Sequence, residues 1–171
     1  MITIVRANEK NSELLAHIGK ISFIESHGIS ASPENINTYV AENYNEDVFN
    51  KELSDLKNIY HIIYHNNCPA GYSQIVLNSD HSNIKIKNAT KLDRLYLLKE
   101  YYGLKLGYEL LKFNIELSQT NKQTGMWLFV WKENQQAVRF YEKTGFNIVG
   151  SHDFKLTDTH SNPNHQMLLR Y

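Results

Sequence analysis

The chain has only one cysteine, Cys68, so it can form no internal disulfide, zinc ribbon or dithiol redox pair. Such sparing use of cysteine suits a reducing compartment, and the expected location is cytoplasmic. Prolines number three, and no low-complexity segment, internal repeat or linker interrupts the chain. An excess of charge is missing as well, since 18 Lys+Arg face 18 Asp+Glu. That balance supplies no global field toward nucleic acid or an anionic membrane, and neither is an expected partner. The opening MITIVRANEK has no apolar stretch of signal-peptide length, and no run approaches the ~18 apolar residues of a membrane span. What is there is 171 residues, 12% aromatic and 21% charged, enough to bury a core without staples. A single domain over residues 1–171 is expected.

Hydrophobic spacing orders the chain. Ile2 to Arg6 reads as a short strand, and Leu14, Leu15, Ile18, Ile21 and Ile24 fall on one helix face. Ser32-Pro33-Glu34 is a helix start, with Ser32 able to cap and Pro33 suited to the first helical position. Asn45 is a second cap, ahead of Val48, Phe49, Leu53 and Leu56. The register then changes. Ile59–Tyr64 and Ala70–Leu77 flank His65-Asn66-Asn67 and predict an antiparallel hairpin. A polar loop over 78–88 leads to a strand over 91–98 and a helix over 106–118. Met126–Trp131 is apolar throughout, as a strand buried on both faces is. A helix over 135–144 ends at Gly145, and strands over 146–156 and 166–171 close the chain around a polar loop. The strand–helix–strand–helix run between Lys91 and Thr144 forces a parallel crossover, so the class is α/β, with an antiparallel front and a parallel centre. Ligands of such sheets bind beyond the carboxyl ends of the parallel strands, here Leu97–Leu98 and Trp131–Lys132.

Two segments at those ends carry chemistry. Lys99–Gly107 places glycines and a lysine between a strand and a helix N-terminus, where backbone N–H groups can turn toward a phosphate. An ordinary strand-to-helix turn has the same look. The second segment is WKENQQAVRFYEKTGF, Trp131 to Phe146, in which Asn134 can be a helix cap and Tyr141 a core residue two turns on. Eight histidines show neither HExxH nor Cys-His spacing, so no metal is expected. Trp127 and Trp131 read as core or cleft wall, and Lys85 and Lys87 as residues of a loop or strand edge.

Taken together, these segments resemble the GNAT superfamily of N-acetyltransferases. The resemblance spans most of the chain and is closest to the PaiA-type spermidine/spermine N-acetyltransferases. It is carried in order by Ser32–Asn35, Lys51–Ser54, Ala70–Tyr72, Arg94–Tyr96, Trp127–Asn134 and Phe140–Phe146. It implies a mixed sheet of about seven strands with helices on both faces, whose parallel fourth and fifth strands splay to admit acetyl-CoA. Leu95, Tyr96 and Leu97 would bond the pantetheine arm. Gly103, Leu104, Lys105, Leu106, Gly107 and Tyr108 would cradle the pyrophosphate, and Asn134 would meet the arm. The family's Gln/Arg-x-x-Gly-x-Gly/Ala reads Tyr102-Gly103-Leu104-Lys105-Leu106-Gly107 here, so Lys105 trades glycine's freedom for a cation.

For catalysis the resemblance implies Tyr141 as proton donor to the leaving sulfur and Asp93 as the base, directly or through water. A salt bridge or surface carboxylate is the other reading of Asp93. The acceptor implied is a polyamine. Against that stands Asn164-His165-Gln166, where resembling sequences carry Gln-Thr-Asp and hence an acid. Other amines (an amino acid, an aminoglycoside-like compound, a protein N-terminus) form the alternative, and an acyl-CoA-binding regulatory module with little turnover forms a third. An exposed last strand, or its neighbours, could pair across a two-fold axis into a homodimer.

Overall fold

A computed structural model describes residues Met1–Tyr171. Its elements run β1 (Ile2–Arg6), α1 (Ser12–His27), α2 (Pro33–Asn43), α3 (Glu46–Ser54), β2 (Asn58–His65), β3 (Cys68–Val76), β4 (Ala89–Leu97), α4 (Leu106–Thr120), β5 (Gly125–Trp131), α5 (Gln135–Lys143), β6 (Asn147–Lys155) and β7 (Ser161–Arg170). The strands form one seven-stranded sheet in the order β1-β2-β3-β4-β5-β7-β6. β4 and β5 are parallel, and their pairing spans only Ala89–Lys91 with Gly125–Trp127 before both strands run on. The fold is α/β, with the mixed sheet and the parallel central pair that the sequence predicts.

Local chemistry accounts for the element ends. The Ser32 hydroxyl accepts the Asn35 N–H at 3.2 Å, and Asn45 Oδ1 accepts the Val48 N–H at 3.0 Å, as caps do. Asn66 and Asn67 take φ of 49° and 65°, which makes the two-residue β2–β3 connection a type I′ turn whose twist matches its strands. Gly145, at φ +95°, ends α5 in the left-handed conformation.

Most element ends shift by a residue or two from the sequence pattern, and three of the differences bear on the site. α1 continues three residues past Ile24, to His27, and β4 begins at Ala89 rather than Lys91. The larger change is β7, which starts at Ser161, so that 161–165 is strand and the polar loop shrinks to 156–160. Asn162 and Asn164 carry no strand signal, yet β6 pairs Ser161 with Lys155 and β5 pairs Asn164 with Trp131. Neighbouring strands impose the conformation there.

By contacts the chain divides into two compact units. Met1–Ile75 with Arg94–Asn114 is the first, and Val76–Asp93 with Ile115–Tyr171 the second. In the first, α4 sends Leu106 and Leu110 onto Ile63 and Ala70, with Leu95 and Leu97 packed against that cluster. Among other side chains, Phe49 of α3 meets Tyr60 of β2 and Tyr72 of β3 at ring separations of 5.9 and 6.1 Å, and Tyr96 of β4 packs on Tyr72 at 5.9 Å. Arg94 enters this aromatic group with its guanidinium 5.3 Å from the Phe49 ring and 5.5 Å from Tyr44. It is held bidentate by Glu52 at 2.8 and 3.1 Å, and it donates to the Tyr60 hydroxyl, which in turn donates to Glu52. Burial keeps the Tyr60 phenol far above its ordinary range, so it remains a donor.

In the second unit, β5 pairs with β7 along its whole length, and Trp127 is buried with Ile84, Ala89 and Leu168. The Trp127 indole N–H donates to the Ser79 carbonyl at 2.8 Å, so the 78–88 loop closes over that strand.

Candidate active site

The first unit holds the proposed coenzyme segment. Leu95 and Leu97 anchor β4 into the α4 cluster, while Tyr96 packs on Tyr72 and meets the edge of the His27 ring at 6.2 Å. Gly71 lets β3 approach this stretch closely. A Cβ there would come within 2.2 Å of the Tyr96 carbonyl oxygen and 2.9 Å of Leu97 Cα, so any other residue would move the strand. The Leu98 N–H donates to the Ala70 carbonyl at 2.9 Å and ends the ladder.

After Leu98 the chain turns through Lys99–Tyr101 and reaches Gly103 at φ +83° and Lys105 at φ +61°. The Glu109 N–H donates to the Lys105 carbonyl at 3.1 Å, so Lys105 caps α4 and the N–H groups of Leu106, Gly107 and Tyr108 precede the first helical bond. Two left-handed residues followed by such N–H groups make an anion-binding turn at the positive end of the helix dipole. Gly103, Leu104, Lys105 and Tyr108 are exposed, and the Lys105 ammonium adds a full charge.

Lys105 stands left-handed where the family carries glycine, a conformation costing about 1–2 kcal/mol for a side-chain-bearing residue. Lys105→Gly should therefore raise stability by about 1 kcal/mol in a denaturant titration while weakening acetyl-CoA binding about threefold through the lost charge. Tighter binding by the glycine variant would remove Lys105 from the coenzyme site.

Glu25 accepts the Lys99 N–H at 2.8 Å and fixes the start of this turn. It also raises the Tyr102 phenol, together with the larger effect of burial. His27, two residues on, is stacked on Phe23 at 4.7 Å, and its Nδ1 lies 2.7 Å from the Ser26 hydroxyl. No periodicity along the chain selects Glu25, because its partner is a backbone group 74 residues away.

The second unit holds Asp93, Asn134 and Tyr141. Asn134 Oδ1 accepts the Ala137 N–H at 3.1 Å, so it caps α5 and keeps its amide N–H₂ for other partners. Tyr141 is 8% exposed, with its ring edge-on to Phe140 at 5.1 Å and Phe146 at 5.5 Å. Gly145 provides the bend that returns Phe146 onto it. Asp93 is paired with Lys91 at 2.5 Å, and the Lys91 ammonium lies 5.4 Å from the Trp127 ring and 5.7 Å from Phe129. The salt bridge, the other reading of Asp93, is therefore present. No group of three or more His, Cys, Asp or Glu side chains is arranged to hold a metal.

The Acetyltransferase (GNAT) family model matches residues 26–146, and the chain belongs to that family. It is an N-acetyltransferase, acetyl-CoA-dependent as the family is. The uncharacterized N-acetyltransferase in the pepI 3' region of Lactobacillus delbrueckii subsp. lactis is 26% identical over 157 residues, covering 92% of this chain and 91% of that one. A Bacillus subtilis subsp. natto protein named probable spermine N(1)-acetyltransferase is 36% identical over 64 residues, 37% of this chain and 42% of its own. Among solved structures, the PaiA N-acetyltransferase of Thermoplasma acidophilum in complex with coenzyme A superposes with a TM-score of 0.79 at 22% identity, covering 100% of this chain and 99% of that one. At that identity the likeness speaks for the fold. No helix is long and apolar enough to cross a membrane.

Proposed function

We propose that the 171 residues work as one N-acetyltransferase domain, moving the acetyl group of acetyl-CoA onto the nitrogen of a small primary amine. The observation that carries this reading is the turn at Gly103–Tyr108, where two left-handed residues, a lysine and free helix-start N–H groups follow directly on β4. Leu95, Tyr96 and Leu97 would hold the pantetheine arm by backbone bonds, and Asn134 would donate to it from the cap of α5. The thioester supplies an activated acyl carbon.

An acceptor amine near pKa ~10.4 is mostly protonated at neutral pH, and freeing its lone pair costs about 4–5 kcal/mol. Asp93 would take that proton, directly or through water, and Tyr141 would return one to the departing sulfur. Acyl carbon and nitrogen form the new bond, the nitrogen releases its second proton through solvent, which restores the Tyr141 hydroxyl, the carbon–sulfur bond breaks, and free thiol and amide result.

A polyamine is the acceptor supported by the PaiA likeness and by the 64-residue match. The stretch Asn164-His165-Gln166, which lacks the acid that resembling sequences carry there, weighs against a polyamine. Thiol release with acetyl-CoA and a panel of amines tests the whole reading, with spermidine and spermine beside amino acids, aminoglycosides and peptides. Release is expected with at least one amine. Saturable acetyl-CoA binding with no release on any of them would make the chain an acyl-CoA-binding module.

A further inference from the structure

Two carboxylates of the first unit grip the proposed coenzyme stretch, one at each end, and both come from helices that precede the sheet. β4 pairs with β5 only up to Lys91, so along residues 92–97 that edge has no strand to fix its N–H and C=O groups. Arg94 stands one residue ahead of Leu95. Glu52 of α3 holds its guanidinium at 2.8 and 3.1 Å, Tyr60 of β2 accepts from it at 2.8 Å, and the Tyr60 hydroxyl donates to Glu52. The other end is Lys99, whose N–H donates to Glu25 of α1 at 2.8 Å. Between them Leu95 and Leu97 pack on the apolar α4 cluster, a contact that sets no direction.

Stability accounts for neither carboxylate. The side chains of Arg94 and Glu52 are 15% and 26% exposed, and an ion pair so far out of water gains little over apolar residues of equal volume. Glu25 lies in the last turn of α1, where the helix dipole disfavours a negative charge. It also sets an anion beside a turn suited to bind one. We infer that Glu52, through Arg94, and Glu25, through the Lys99 N–H, are positioning residues for acetyl-CoA. They set the backbone of Leu95–Leu97 in the place the pantetheine arm needs, since a binding constellation must be held within about 0.5 Å. The inference rests on the acetyl-transfer reading, in which that backbone takes the arm.

The test is titration calorimetry with acetyl-CoA, and with adenosine 3′-phosphate 5′-diphosphate, which lacks the arm. Glu25→Leu should weaken acetyl-CoA binding about fivefold while Tm stays within about 2 °C, because relief of the helix end offsets the lost bond. Glu25→Gln keeps an oxygen for the Lys99 N–H and drops the charge, so it should bind at least as tightly as the wild type. Glu52→Leu, Arg94→Met and Tyr60→Phe together remove the polar atoms of the other grip. That triple variant should hold or raise its Tm, lose about tenfold in acetyl-CoA affinity and keep its affinity for the armless nucleotide. A merely structural network would move Tm, or both ligands alike. Should the triple variant fail to fold, the two Glu25 variants decide alone. Acetyl-CoA affinity unchanged in Glu25→Leu or in the folded triple variant overturns the inference and leaves the coenzyme reading standing. Equal losses in the two Glu25 variants, or of both ligands in the triple variant, do the same. No binding of acetyl-CoA to the wild-type chain overturns both.

Discussion

Stability measured by urea titration should fall steeply as pH drops from 6.5 toward 4, well before surface carboxylates titrate. Two histidines of the first unit are responsible. His27 is held down to about 4 by burial, stacked on Phe23 at the end of α1. His61 is held down to about 4 by burial first and the positive charge of Arg6 second, with its ring edge-on to Phe113 at 4.8 Å and Nδ1 unpartnered. In the unfolded chain both return to their ordinary value of 6.5.

Between pH 4 and 6.5 the unfolded state binds protons that the folded state refuses, so unfolding gains. Stability is complete above pH 6.5 and is lost as pH falls through the folded values. Each histidine contributes about 1.4 kcal/mol per pH unit inside that window, and two acting together lose a large part of the 5–15 kcal/mol typical of a domain. His27→Phe combined with His61→Leu should flatten the profile between pH 6.5 and 5. A profile already flat in the wild-type chain would mean that neither ring is buried as described.

Turnover should fall by about 10²–10³ in Tyr141→Phe, with the KM for acetyl-CoA nearly unchanged. The ring itself is a packing element, buried between Phe140 and Phe146, and phenylalanine keeps that contact. What the substitution removes is one hydroxyl. If that hydroxyl protonates the leaving sulfur, its loss is felt in kcat alone, because a thiolate must depart unaided. Single-turnover measurement across pH checks the point. Full turnover in the variant would leave Tyr141 a core residue and transfer the proton donor's role to water or another group.

Features that depend on near neighbours along the chain are legible in the sequence by itself. Ser32, Asn45 and Asn134 cap helices because each side chain reaches an N–H three residues ahead. The Asn66-Asn67 turn and Gly145 follow from the conformations those residues tolerate. The all-apolar run Met126–Trp131 reads as a strand covered on both sides, and the crossover around it set the parallel pair. The left-handed turn before α4 is legible for the same reason, since its glycines, lysine and helix start lie within one short stretch.

Tertiary structure alone decided the rest. Glu52 finds Arg94 across 42 residues, and Glu25 finds the Lys99 N–H across 74, distances over which no periodicity carries information. Lys105 occupies a left-handed conformation that its side chain disfavours, because β4 and α4 fix both ends of the turn. Residues 161–165 are strand because β5 and β6 offer them hydrogen bonds, against their own composition. Gln166 is buried for that reason as well. A polar side chain is placed by the backbone ladder that holds it, and the ladder is a property of the whole sheet rather than of the residues around it.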